Sequence, residues 1–404
     1  MKIRSITCFA DPKWPLDADC FERLGRFITA ARPAFEAAGY QVQTVRFATV
    51  PLAHLLPGLA VEGAVELAVK VETLARARGF DYVALGPALP EAPGSFDLIL
   101  PVLAATQDVF LSGQMTGVQG VSLASVRGCA EVIQRAAGIT PDGFTNLRFA
   151  ALANVPPGTP FFPAAYHAGG EATFALATEA ADLAVEAMAE AVNLEDARQR
   201  LVMRVEKHAA RLGQAAETLG QKWGVGFGGI DFTLAPFPEE MASFGTAIER
   251  LGIPAVGLHG SLAAAAFLAD ALDRAEFQRA GFNGLMLPVL EDFTLARRAA
   301  QGHLGVKDLL LYSTVCGTGL DTLPLPGDVS IEQLYALLLD VAALSQRLAK
   351  PLTARLMPIP GKMAGDATGF DFPYFANSRV LALEAEPLSG ILARGDHLEL
   401  HPRG

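Results

Sequence analysis

Cysteine is scarce: Cys8, Cys20, Cys129 and Cys316 are the four in 404 residues. Their wide, irregular spacing contains no C-x-x-C, which argues against a zinc knuckle and, in a reducing compartment, against a disulfide framework. Long apolar runs are missing as well. Hydrophobic residues make up 51% of the chain and mean hydropathy is +0.30. The Ala, Val and Leu that raise these figures nonetheless come in short stretches, none near the roughly eighteen residues that span a bilayer. The net charge of −11 is spread without acidic or basic blocks, so there is no nucleic-acid footprint and no reason to expect a membrane surface as partner. The opening MKIRSITCFADPKWPLDADC has charges at both flanks of a run too short for a signal-peptide core. A cytoplasmic protein with a small-molecule ligand is expected, and self-association into a homo-oligomer is left open.

Nucleotide signatures are absent too. GVGFGG at 224–229 precedes Ile230 instead of lying as G-x-G-x-x-G between a strand and a helix, and neither a G-x-x-x-x-G-K-[ST] loop nor a G-x-S-x-G elbow occurs. No motif names a cofactor.

What is present is alternation. β-type runs at 2–9, 41–48, 82–85, 109–111 and 147–154 are separated by helical runs, the pattern of a parallel sheet with crossover helices. A Pro- and Gly-rich connection then leads to a helical region from about 179 to 223. There Leu194, Ala197, Leu201, Val205, Ala209, Leu212, Ala216 and Leu219 form one apolar stripe. Beyond it, 225–234, 253–258, 284–290, 353–357 and 380–385 read as five further strands, between helices at 243–251, 261–274, 293–300 and 330–349. Ser330 and Gln333 stand in capping-box positions. The pattern gives five strands before the long helix and five after.

Several residues could carry chemistry. Asp231 lies inside the apolar run GFGGIDFTLAPFP and must be hydrogen-bonded or paired, because an unpaired buried charge is costly; it can equally be a satisfied carboxylate closing a turn. His259 opens a strand-to-helix turn where backbone N–H groups are free for an anion, or merely caps that turn. Glu291 and Asp292 follow LMLPVL, where a helix start favours acids anyway. The stretch Leu352–Arg379 carries Arg355 in a strand, then Lys362, Asp366 and Asp371 in a loop punctuated by Pro358, Pro360 and Gly361. Parallel strands would bring Asp231, His259, Glu291 and Lys362 to one rim. Such a set supplies acid, base and anion anchor for proton-transfer or hydrolytic chemistry. It could also ligate a divalent metal, although no motif demands one. Arg355 should face Asp366, another carboxylate or the ligand, with Lys362 as second anchor. His167 and Glu171 flank Gly169-Gly170, either around a backbone approach point or as solvated ends of a turn. Cys316, between Tyr312 and Asp321 in a glycine-flanked loop, is a thiol without an adjacent cation in sequence; the other cysteines read as small hydrophobes.

AYHAGGE (165–171), GGIDFTLAP (228–236), GLHGSLAA (257–264), GFNGLMLPVLED (281–292), VCGTGLDTLPLP (315–326) and RLMPIPGKMAGDATGFDFPYFANSRV (355–380) together resemble the domain-of-unknown-function 711 family, also called the PFL-like uncharacterised protein family. The order fits over roughly 140–395, and the first 140 residues share only the general pattern. This resemblance implies a fold similar to the pyruvate formate-lyase and ribonucleotide reductase barrel: α/β, ten strands in two five-stranded parallel halves running antiparallel, with a loop inserted into the centre. The chain would then be one domain over 1–404, its halves at about 1–178 and 224–390 joined by long helices. In those radical enzymes a cysteine sits on the inserted loop, so Cys316 resembles its positional counterpart. The glycyl-radical segment is absent from the C-terminal SGILARGDHLELHPRG. The reading taken forward is an enzyme using acid/base chemistry on a small polar or anionic metabolite. A non-catalytic ligand-binding barrel is the alternative, and thiyl-radical chemistry at Cys316 a third.

Overall fold

Five apolar runs in the first 153 residues become five strands: β1 (Lys2–Phe9), β2 (Val42–Ala48), β3 (Tyr82–Ala88), β4 (Val109–Gln114) and β5 (Phe149–Ala153). They lie side by side, all parallel, in chain order. The computed structural model describes residues 1–402 apart from Pro57 and Leu59. Parallel strands covered on both faces need no polar alternation, and β5, Phe-Ala-Ala-Leu-Ala, is buried throughout.

The second half of the chain extends this sheet at both ends. β6 (Thr173–Glu179) runs antiparallel to β1, and β7 (Gly226–Asp231) parallel to β6. At the other end β9 (Leu352–Ile359) runs antiparallel to β5, and β8 (Gly319–Pro326) parallel to β9. Among the described residues nine strands form one parallel-rich sheet, ordered β8-β9-β5-β4-β3-β2-β1-β6-β7. Between its two edges runs 279–289, held by isolated bridges from Arg279 to Ile230, Leu285 to Leu234 and Pro288 to Asp321.

Three expected strands are therefore corrected. Residues 253–258 form turns, because Gly257, at φ 104°, is pressed against the His303 carbonyl, where an added Cβ would lie 1.7 Å from oxygen. Residues 380–385 form no strand, although the Leu381 N–H donates to the Pro324 carbonyl, and 284–290 bridge only at single residues. In their place stand β6, whose helix-forming alanines disguised it, and β8, whose Pro324 and Pro326 argue against a strand unless it lies at an edge, as it does. The long helical region is two helices, Ala181–Glu190 and Leu194–Trp223. Asn193 caps the second by accepting from the Asp196 N–H, and Gly224 closes it in the left-handed region. Its stripe from Ala197 to Leu219 is buried, whereas Leu194 is 61% exposed. The Ser330–Gln333 capping box is formed on both sides.

Small residues on the inner face make room at the centre. Ala48, Ala84 and Ala175, with Phe9 and Phe110, pack around Phe162 and Ala165. Ala150 and Leu152 pack with Phe161, Ala164, Ala235 and Met286. The segment 154–172 after β5 thus enters the concavity of the sheet. It contains no cysteine. Among the described residues no helix is long and apolar enough to cross a membrane.

Candidate active site

Because the two sets of strands run in opposite directions, the beginnings of β1–β3 and the ends of β6 and β7 share one side of the sheet. A cavity of about 90 Å³ opens there. Arg4 reaches it from β1, Arg46 from β2, Tyr82 from β3, Asp231 from the end of β7 and Arg355 from β9. Phe161 and Phe162 of the inner segment form one wall, and Phe372 and Tyr374 of the loop after β9 lie across it. That loop is itself stapled by aromatic contacts among Phe370, Phe372, Phe375 and Phe144. The stretch from Leu352 to Arg379 meets the cavity through Arg355 and the rings of Phe372 and Tyr374, not through Lys362, Asp366 or Asp371.

The charged wall is built around Glu291. Arg355 donates from Nη2 to Glu291 Oε1 at 2.7 Å and from Nε to Asp321 Oδ1 at 2.6 Å. Arg4 donates from Nη2 to Glu291 Oε2. Burial by itself would raise the Glu291 carboxyl, but Arg4 and Arg355 outweigh it and hold the group below the usual range. Asp321 is ion-paired with Arg355 among the described residues, but burial, with repulsion from Glu291, outweighs that pair and pushes it up. The Asp321 Oδ2 has no partner. Neighbouring Thr322 sits at φ 37°, where a β-branched residue is strained, at an irregularity in the β8–β9 register.

Asp231 is held without any ion pair among the described residues. Its Oδ1 accepts from the Thr233 hydroxyl and the Asn283 N–H, and Oδ2 from the Phe282 N–H. The loop can approach so closely because residue 281 is glycine at φ 70°, where a Cβ would fall 2.3 Å from Asp231 Oδ2. Burial dominates these donors and raises the carboxyl above the ordinary aspartate range.

Arg46 differs from its neighbours. Its Nε donates to Thr44 Oγ1 at 2.9 Å, and that hydroxyl in turn donates to the Arg4 carbonyl. Its guanidinium lies 5.0 Å from the Phe162 ring centre and 5.9 Å from that of Tyr82. Burial, with repulsion from Arg4, pushes it down to about 9.

The other expected residues lie elsewhere. His259 is exposed in the turn before the helix Ser261–Arg274, which takes it out of the rim. Lys362 lies beyond β9 in a turn outside the cavity lining, and exposed Asp366 accepts from the Met363 N–H. Arg355 pairs with Glu291 and Asp321, not with Asp366. Glu171 is exposed. His167 is buried with Nε2 unpartnered, its backbone N–H donating to Thr49 O at 2.9 Å. That position, beyond the far end of β2, is outside the cavity lining. Cys316 is 1% exposed, on the turn ahead of β8, and Lys350 Nζ donates to its carbonyl. It is absent from the segment that fills the centre, which corrects its expected place there. Asp292 is a helix cap, accepting from Ser243 Oγ and four backbone N–H groups. No cluster of three or more His, Cys, Asp or Glu suited to a metal occurs among the described residues. Arg4, Arg46 and Asp321 were not anticipated. The first two stand in apolar strands, KIRSITCF and VQTVRFA, so the argument that singled out Arg355 applies to them unchanged.

Fold and cavity define a mixed α/β protein with an arginine- and aromatic-lined chamber inside a parallel-rich sheet. By sequence the chain belongs to the family described as Uncharacterised ACR (DUF711), whose model matches residues 1–375. The match includes the first 140 residues, where the motifs gave only a general pattern. Curated relatives include a UPF0210 protein of Pyrobaculum arsenaticum, 32% identical over 361 residues, covering 84% of this chain and 79% of the relative. UPF0210 protein PAE3581 of Pyrobaculum aerophilum is 33% identical, with coverage of 85% and 80%, and a UPF0210 protein of Desulforudis audaxviator 31%, with 86% and 80%.

Proposed function

We propose that the cavity is the active site of an enzyme that moves a proton on a small anionic metabolite, with Asp231 as the proton-handling group. The observation that carries this reading is a pair of buried carboxylates on one chamber with opposite shifts. Asp231 is raised and makes no ion pair among the described residues, whereas Glu291 is lowered and clamped by two arginines. Carboxylates whose environments push them apart are the usual division between a group that exchanges protons and one that holds charge in place. Arg355 and Arg4 are positioning residues in this reading, since both are ion-paired with Glu291 and Arg355 also with Asp321. The test is exchange: small organic acids incubated with the protein in D₂O lose a C–H signal in proton NMR. Asp231→Asn abolishes the exchange while the acid still binds. Binding without exchange in the wild type favours the non-catalytic ligand-binding alternative.

The same proposal extends to the fold. The bridges from 279–289 to both sheet edges support reading this segment as the tenth stave of a barrel of the pyruvate formate-lyase type, with 154–172 as its central loop and the chain as one unit. The cysteine-free central segment speaks against radical chemistry at that point.

A further inference from the structure

Three guanidinium groups line the chamber, and two of them are ion-paired with carboxylates. Arg4 and Arg355 hold Glu291, and Arg355 also holds Asp321. Arg46 has no carboxylate partner among the described residues. The third wall carboxylate, Asp231, takes its hydrogen bonds from Thr233, Phe282 and Asn283. Among the described residues the hydrogen bond Arg46 makes uses Nε, and Thr44 fixes it from that side, leaving both Nη groups as a fork beside the Phe162 and Tyr82 rings. A planar fork of this kind matches a carboxylate with two parallel hydrogen bonds. A cation kept next to other cations and depressed by burial gains most from an anion arriving in the same low-dielectric space.

The remainder of the chamber limits what else that anion can carry. Tyr82, Phe110, Phe161, Phe162, Phe372 and Tyr374 supply apolar walls. A volume of about 90 Å³ is smaller than the roughly 150 Å³ apolar cavity that accepts benzene. One unpaired positive charge also suits a monoanion better than a hydrated dianion such as phosphate, which needs several more donors to replace its water.

We propose that the ligand of this chamber is a short-chain monocarboxylate, its carboxylate held by the Arg46 fork and its apolar body lying among the rings. This rests on the cavity being the ligand site and adds the class of ligand. Nothing in it depends on which proton is moved.

The experiment is a titration followed by saturation-transfer NMR, with propanoate, propanamide, benzoate and inorganic phosphate as probes. The proteins are the wild type, Arg46→Gln, Arg46→Lys and Lys362→Ala. Propanoate is expected to bind saturably to the wild type and to Lys362→Ala alike, and at least tenfold more weakly to Arg46→Gln. Arg46→Lys, which keeps the charge and loses the fork, falls between. Propanamide, of the same shape without charge, is at least tenfold weaker than propanoate, and benzoate is excluded by size. If Arg46→Gln does not fold, the propanamide comparison and Arg46→Lys still decide. The proposal is overturned if propanamide matches propanoate, if Arg46→Gln binds as the wild type does, or if benzoate or phosphate binds in preference. Those results leave the cavity standing as a ligand site. Failure of all four probes on the wild type counts against the cavity itself.

Discussion

Arg355 and Glu291 meet inside the sheet with Nη2 2.7 Å from Oε1, each side chain 5% exposed. The pair comes from residues 64 apart in sequence, and Asp321 and Arg4 complete it. Taking ions out of water is expensive, so such a cluster is stable only while every member keeps its partner. Arg355→Ala is therefore expected to destabilise the protein by about 3–5 kcal/mol, because it removes the arginine paired with buried Asp321 and leaves Glu291 with Arg4 alone among the described residues. Arg355→Lys should recover only part of this, since an ammonium cannot serve two carboxylates in the same fork. Denaturant unfolding of both variants measures the difference, and a loss within about 0.5 kcal/mol, as at an ordinary surface site, would refute it.

Acid stability separates the carboxylates by sign. The folded Glu291 group lies below its unfolded value near 4.5, so its contribution is present above that value and is lost as pH falls through the folded one. Asp231, Asp292 and Asp321 are raised. Their contribution is present below the unfolded value near 3.8 and lost as pH rises through their folded values. The gap in unfolding free energy between the wild type and Glu291→Gln should thus narrow as pH drops below 4.5. A gap that is flat or widens across that window contradicts the assignment.

How much of this was readable beforehand follows from how each residue signals itself. Asp231, Glu291 and Arg355 stood out because a charge within or at the end of an apolar run must be satisfied, and the structure places all three on one chamber. His259 and Lys362 were drawn in by the assumption that each apolar run was a strand ending at the same rim. Pro254 and Gly257 turned one run aside, and Lys362 falls past the rim in a turn. The five opening strands and the long helix were legible from periodicity. β8 was not, because prolines tolerated only at an edge are indistinguishable in sequence from a loop.

Asp292 gives a purely structural contrast. Its two oxygens accept from Ser243 and four backbone N–H groups, so Asp292→Ala should cost at least about 2–3 kcal/mol through unsatisfied donors. A thermal melt reads that loss, while propanoate binding at a temperature where the variant is folded should be unchanged. Lost binding without lost stability would move Asp292 into the site.

The cysteines should be silent in the native state. Cys8, Cys20, Cys129 and Cys316 are all buried, out of reach of a reagent, and burial also raises the Cys20 thiol to about 11, which suppresses its thiolate. A colorimetric disulfide reagent at neutral pH should label none of them until denaturant is added, and Cys316→Ser should leave proton exchange on organic acids intact. Rapid labelling of Cys316, or loss of exchange in Cys316→Ser, would restore a chemical role to that thiol.

Asp231 can handle a proton only as a carboxyl whose proton affinity is set by the chamber. The direct measurement is a pH titration of the ¹³Cγ resonance in protein labelled at aspartate, with Asp231→Asn supplying the assignment. The expected result is a titration midpoint above the ordinary aspartate value near 3.8, because burial disfavours the ionised form more than the three donors favour it. A midpoint at or below 3.8 would show that the three donors outweigh burial, leaving Asp231 a permanent structural anion and the chamber without its proton-handling group.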